Sequence, residues 1–193
     1  MTAYTELAAL PRHHYGAILI DPPTKFSTWS TKGMDRSPEN HYATMTWSEI
    51  AGLPVGELAA RDCVLLLWTY GPILAKTLSL IPFWGFEYKT LGFNWVKVEG
   101  SALFLDRPRI STGYWTRPES ELCLLATRGQ PKRLDAGVRQ VFLELPREHS
   151  RKPRGTHVRV ERLVAGPYLE MFSRTDRVGW DVWGNEVGKF GDG

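Results

Sequence analysis

The sequence predicts an α/β fold, a mostly parallel sheet with helices on both faces. Three observations predict it. Short β-rich apolar runs recur along the chain, helix-like stretches separate several of them, and no repeat or low-complexity tract divides the 193 residues. That length favours a single domain with a full core, so one continuous domain over 1–193 is expected.

The strand candidates are Tyr15–Ile20, Cys63–Trp68, Gly92–Val98, Leu122–Thr127, Val138–Leu143, Tyr168–Phe172 and Trp180–Trp183. Helical patterns fall over Trp47–Ala60, interrupted at Pro54, over Ile73–Leu80, and over His157–Val164. The last enters through Thr156 as N-cap and leaves at Gly166-Pro167. Strands joined through helices run parallel and are covered on both faces. Ligands in such sheets bind beyond the carboxyl ends of the strands. That rule points to Asp21-Pro22-Pro23-Thr24, Ser173-Arg174 and Gly184-Asn185-Glu186, with His149-Ser-Arg-Lys-Pro153 just ahead of the last helix.

Composition excludes several classes. With 42% hydrophobic and 23% charged residues the chain is neither a disordered tail nor a fibrous repeat. No apolar run approaches the roughly 20 residues that span a bilayer, and the longest, Val64–Trp68, has the length of a buried strand. The N-terminus lacks a basic segment followed by an apolar one, so a cytoplasmic protein is expected. Cys63 and Cys123 sit in apolar runs as small buried hydrophobes. Neither the cysteines nor the five histidines fall into a metal-ligand spacing, and no metal is expected. Net charge is +3, but 107–154 holds eleven basic residues against five acidic, leaving −3 on the remainder. Such asymmetry suits a polyanion such as nucleic acid, although solvated basic loops explain it equally.

Proline lacks an N–H and pushes the preceding residue into an extended conformation, so Asp21-Pro22-Pro23 should run stiffly out of its strand with its carbonyls unpaired. A carboxylate beside an exposed carbonyl offers two fixed acceptors, the arrangement that holds both hydrogens of an amino group such as adenine N6. That amine is a poor nucleophile until its lone pair is drawn out of ring conjugation, and fixed acceptors stabilise the charge that develops as it attacks. A solvated turn is the plain alternative for so short a motif.

Asp21-Pro22-Pro23, His41-Tyr-Ala-Thr-Met45, Leu66-Leu-Trp68, Trp95-Val-Lys97, Gly113-Tyr-Trp115, His149-Ser-Arg-Lys-Pro153, Leu169-Glu-Met-Phe172-Ser-Arg174 and Trp183-Gly-Asn-Glu186 occur in the order seen in the MT-A70 family. The chain resembles that family from about Tyr15 to Val187. The resemblance implies an S-adenosyl-L-methionine-dependent adenine-N6 methyltransferase with a Rossmann-like fold and circularly permuted motifs, the Asp-Pro-Pro strand coming early and the cofactor strand late. It implies that Asp21, Pro22 and Pro23 are catalytic, with Asp21 also near the cofactor's amino group. Lys152 would meet the methionine carboxylate, Glu170, Phe172 and Arg174 would lie along the cofactor strand, and Asn185 and Glu186 would reach the ribose hydroxyls. Each has a plainer reading: Lys152 as a solvated base, Arg174 paired with a surface acid, Asn185 shaping a turn, Phe172 as core.

One position departs from the family, which places an aromatic residue after the two prolines where this sequence has Thr24. Stacking on a base contributes ~1–3 kcal/mol, so Phe26, Trp29 or Tyr42 is expected to supply a ring, with Tyr42 the better candidate. Tyr114, Trp115 and Arg117 would contact nucleic acid, DNA more than RNA. A degenerate nucleic-acid-binding module is the competing reading, and methylation of RNA, a small molecule or a protein amine stays open. Target recognition would call for a homodimer or a partner protein.

Overall fold

A computed structural model describes residues 3–4, 6–24, 44–99, 107–111, 113, 115–147 and 151–189. The strands are β1 (Ala3–Tyr4), β2 (Tyr15–Ile20), β3 (Ala59–Thr69), β4 (Glu87–Glu99), β5 (Arg107–Pro108), β6 (Ser120–Arg128), β7 (Val141–Glu144), β8 (Tyr168–Met171) and β9 (Trp180–Trp183). The helices are α1 (Trp47–Ala51), α2 (Val55–Leu58), α3 (Leu74–Phe83) and α4 (Gly155–Leu163). Pro54 separates α1 from α2, as expected, and a reciprocal Thr46–Glu49 capping box starts α1. Among the described residues no helix is long and apolar enough to cross a membrane.

The strands form one sheet in the order β1-β9-β8-β2-β3-β6-β4-β5, with β7 beside β4. The run from β1 to β3 is parallel throughout, and β7 is parallel to β4. β6, however, is antiparallel to both β3 and β4, so the sheet is mixed. The cause is local: among the described residues no helix separates β4 from β6, and past β5 a turn is closed by Ser111 N–H donating to Pro118 O at 3.0 Å. A return without a crossover helix must be antiparallel.

Alternation along the central strands divides the core. Ile18, Ile20, Leu65 and Leu67 face Ile50, Leu58, Leu80 and Ile81 of α1–α3. Ala17, Leu19, Val64 and Leu66 face the opposite way, with Val160 of α4, Trp95 and Trp180. Helices therefore cover both faces, and each buried aliphatic side chain contributes about 1.5–3 kcal/mol.

The helix start differs from the sequence expectation. Thr156 is not the N-cap of α4; it lies inside the helix, wholly buried. The capping acceptor is instead the Glu144 carboxylate at the end of β7, which accepts from the Arg154 and Gly155 N–H groups at 2.8 and 3.1 Å. A carboxylate there also meets the positive end of the helix dipole.

The pairings bring the carboxyl ends of β2, β3, β4, β7, β8 and β9 to one edge together with the amino end of β6. Asp21, Lys97, Glu121 and Phe172 all stand on that edge.

Candidate active site

Asp21 leaves the end of β2, and its carboxylate accepts from Lys152 Nζ at 2.8 Å. The Asp-Pro-Pro carbonyls are not unpaired, as the sequence had suggested: Pro22 O accepts from Thr24 N–H and Pro23 O from Met45 N–H, both at 2.8 Å. The Thr24–Met45 bridge supplies those donors. A carbonyl has two lone pairs, so Pro22 O keeps one acceptor position.

Lys152 belongs to a chain of alternating charges. Its Nζ also donates to Glu121 at 2.9 Å, and Glu121 pairs with Lys97 at 2.5 Å. The ammonium lies 5.5 Å from the centre of the Trp68 ring, within cation–π range. Burial works against the Lys152 charge, but Asp21 and Glu121 more than offset it and raise its pKa. Burial likewise pushes the Glu121 carboxyl up, yet Lys152 and Lys97 overcome this and lower it to about 2. Asp21 shares Lys152 with a stronger claimant, so burial wins and its pKa is raised above the ordinary carboxylate value.

The Glu121 shift has a sign. A depressed carboxyl stabilises the fold above its unfolded value near 4.5 and loses that contribution as pH falls through about 2. Glu121→Gln should therefore reduce stability by on the order of 3 kcal/mol at neutral pH. It should also flatten the stability-against-pH curve below 4.5 in denaturant titrations; an unchanged acid slope would sink this assignment.

At the neighbouring strand end, Glu170 accepts from His157 at 3.0 Å and from Ser173 Oγ at 2.8 Å. Burial alone would raise this carboxyl, but His157 and Ser173 hold it below its ordinary value. β8 stops at Met171, and Phe172 takes a left-handed φ of 64° with its ring 5.0 Å from that of Trp183. Such a conformation in a bulky residue is strained and turns the chain sharply. Gly184 lets the turn close. A Cβ there would lie 2.7 Å from Ser173 O and 3.0 Å from the Phe172 carbonyl carbon. Gly184→Ala should destabilise by about 1–3 kcal/mol through overpacking, and a thermal midpoint equal to the parent's would show that these strand exits do not touch.

Asp21, Arg147, Lys152, Glu170, Phe172, Arg174 and Asp176 are among the residues that line one cleft, open to solvent. Its walls carry both signs of charge, as a zwitterionic ligand requires. The family model for MT-A70 matches residues 15–186. The chain belongs to the MT-A70 family.

Curated relatives agree. The chain is 32% identical to the Type II methyltransferase M.MunI of Mycoplasma sp over 196 residues, 92% of this chain and 80% of the relative. It is 32% identical to the mouse N(6)-adenine-specific methyltransferase METTL4 over 193 residues, 91% of this chain and 38% of that one. Against the catalytic subunit METTL3 of the human N(6)-adenosine-methyltransferase it is 28% identical over 177 residues, 90% and 28%. The chain thus spans most of the first relative and well under half of the other two.

Of the MT-A70 residues picked from the sequence, the fold brings Asp21, Lys152, Glu170, Phe172 and Arg174 to the cleft. Asn185 is exposed, and Glu186 lies outside the cleft lining, paired with Arg174 at 2.9 Å and with Lys189. Pro22 and Thr24 are buried, and Pro23 is half-buried. Trp115 is fully exposed and Arg117 exposed, its Nε donating to Ser111 O at 3.4 Å. Phe26, Trp29, Tyr42 and Tyr114 lie outside the described residues. Sequence reasoning missed Glu121 and Trp68 as partners of Lys152, and Lys97 as the second cation on Glu121. The available signal was that Trp68 and Lys97 end strands whose carboxyl termini meet the start of the strand carrying Glu121.

Proposed function

We propose that this chain transfers a methyl group from S-adenosylmethionine to N6 of adenine in nucleic acid, DNA in preference to RNA, through one Rossmann-like domain. The observation that carries this is Asp21, on a proline-stiffened strand end, held by Lys152 at the mouth of a cleft of mixed charge. The motif order supports a circular permutation: Asp21 after β2 precedes in sequence the β8–β9 pair that lines the cofactor side. A cytoplasmic location completes the reading.

S-adenosylmethionine supplies an electrophilic methyl on its sulfonium sulfur. Lys152 has three N–H donors, and two are taken by Asp21 and Glu121, which leaves one for the methionine carboxylate. Asp21 and the free lone pair of Pro22 O accept from the two amine hydrogens of the target. Both acceptors are fixed before the base arrives, so they strengthen as positive charge develops on the nitrogen. A base inside a duplex must first be flipped out. Trp115 and Arg117, on the loop that rises from the same sheet edge, suit contacts with a base and a phosphate.

DNA is favoured because M.MunI and METTL4, the second named for adenine, match at higher identity than METTL3, named for the ribonucleoside adenosine. The test is incubation with methyl-labelled S-adenosylmethionine and DNA, RNA of the same sequence, or no polymer. Label at adenine N6 in DNA is the expected result. Label in RNA alone overturns the preference, and cofactor binding without transfer to either polymer makes the chain a binding module, the outcome that Thr24 would favour.

A further inference from the structure

We infer that Asp176 is a cofactor-binding residue that accepts a hydrogen bond from a ribose hydroxyl of the adenosyl group; this rests on the cleft being an S-adenosylmethionine site. Asp176 stands between β8 and β9 and lines the cleft. Its Oδ1 is wholly buried and has no hydrogen-bond partner among the described residues. A buried acceptor left unmade is costly, and a carboxylate oxygen can be satisfied only by a donor. The missing group is therefore an N–H or O–H.

The surrounding groups are engaged with one another. Ser173 Oγ stands 2.8 Å from both Glu170 Oε2 and Thr175 O and has its one hydrogen to share between them. Arg177 pairs with Glu161 through Nε at 2.9 Å. Glu186, the residue that the sequence had suggested for the ribose, has one oxygen on Arg174 and the other on Lys189. Asp176 is the cleft carboxylate with a buried oxygen still to be filled.

Sheet order decides which part of the ligand it meets. Lys152 contacts Asp21 after β2, Trp68 at the end of β3 and Glu121 on β6. Asp176 follows β8, on the other side of β2, and its Oδ2 lies 4.0 Å from where a Cβ on Gly188 would stand, against the turn after β9. With the methionine carboxylate on Lys152 and the reacting methyl beside Asp21, an extended ligand brings its nucleoside to the β8–β9 side. Arg174, Thr175 and Arg177 make the wall around Asp176 polar, which suits a diol better than the flat apolar face of a purine.

The experiment is calorimetric titration of the full chain with S-adenosylhomocysteine and with its 2′-deoxy, 3′-deoxy and N6,N6-dimethyl analogues. The parent protein should lose roughly tenfold or more in affinity on removal of one hydroxyl. Asp176→Ala should bind S-adenosylhomocysteine weakly and no longer distinguish it from that deoxy analogue. Asp176→Asn, of the same shape and still an acceptor, should keep part of the discrimination. A merely structural role would lower affinity for all four ligands equally and leave the ratios intact, which overturns the assignment. So does a parent that binds both deoxy analogues as well as S-adenosylhomocysteine, or a discrimination lost only for the dimethyl analogue, which would move Asp176 to the adenine. A parent that binds no S-adenosylhomocysteine defeats the methyltransferase reading itself, whereas binding with unaltered ratios in the variants defeats only the role of Asp176.

Discussion

Asp21→Asn is expected to slow methyl transfer about a thousandfold, within the 10²–10⁴ range of a positioned proton-bonding group, while affinity for S-adenosylhomocysteine changes by less than about tenfold. Asparagine keeps the shape of the side chain, so the stiff turn made by Pro22 and Pro23 and their bonds from Thr24 and Met45 should persist. What disappears is negative charge at the position where the amine becomes positive, and half of the acceptor capacity, since the amide nitrogen can only donate. The ground-state ligand, without that developing charge, feels the change far less. A second reading comes from pH. Burial raises the Asp21 pKa, and the reaction needs its ionised form, so the acid limb of kcat should lie above the ordinary carboxylate value of 3.8. That limb should vanish in Asp21→Asn. Single-turnover rates with a DNA substrate, set beside calorimetric affinities, separate the two effects. Equal losses in rate and affinity would reassign Asp21 from the reacting amine to the cofactor.

How far the sequence foretold this site depends on how local each determinant is. The Asp21-Pro22-Pro23 arm was legible because proline dictates backbone direction by itself, and the rule that ligands gather at strand carboxyl ends pointed to Ser173-Arg174, of which Arg174 lines the cleft. Parallel pairing of β8, β2 and β3 followed from the helical stretches between them. The antiparallel insertion of β6 was also written in the sequence, as the lack of a helical pattern between Val98 and Leu122, but it shows only when that gap is compared with the others. Long-range partners were not legible. Thr156 looked like a cap because cap patterns are local, whereas the carboxylate that fills the role comes from Glu144 on another strand. Glu121 looked like an ordinary polar residue at a strand start; its meaning arises from the register that sets it opposite Trp95 and within reach of two lysines. Asp176 gave no signal at all, since an unpaired oxygen is a property of the packed structure.

Lys152→Met should destabilise the fold by about 3–5 kcal/mol, the usual penalty for removing one partner of a buried ion pair, and lower the thermal midpoint by roughly 10 °C for a chain of this size. Methionine retains the length and apolar contacts of the stem over Trp68, so lost packing is a small part of the effect. The larger part is electrostatic. Lys152 is 13% exposed and touches two carboxylates; without it Glu121 still has Lys97, but Asp21 loses its paired ammonium and is left with the weaker pull of Arg174. The protein can relieve this by protonating Asp21, whose pKa is already raised and must rise further once the ammonium is gone. A carboxyl with a raised folded-state pKa weakens the fold when ionised and recovers that loss as pH falls through the raised value. The deficit of Lys152→Met should accordingly shrink on acidification from pH 7 toward pH 5, the reverse of the trend assigned to Glu121. Asp21→Asn introduced into Lys152→Met should restore much of the stability, because it removes the stranded charge. Urea titrations of the four proteins at two pH values make the double-mutant cycle. Strict additivity of the two substitutions, or a Lys152→Met deficit that does not move with pH, would mean that Asp21 and Lys152 are not coupled in solution. The acceptor geometry built on that pair would then lose its anchor.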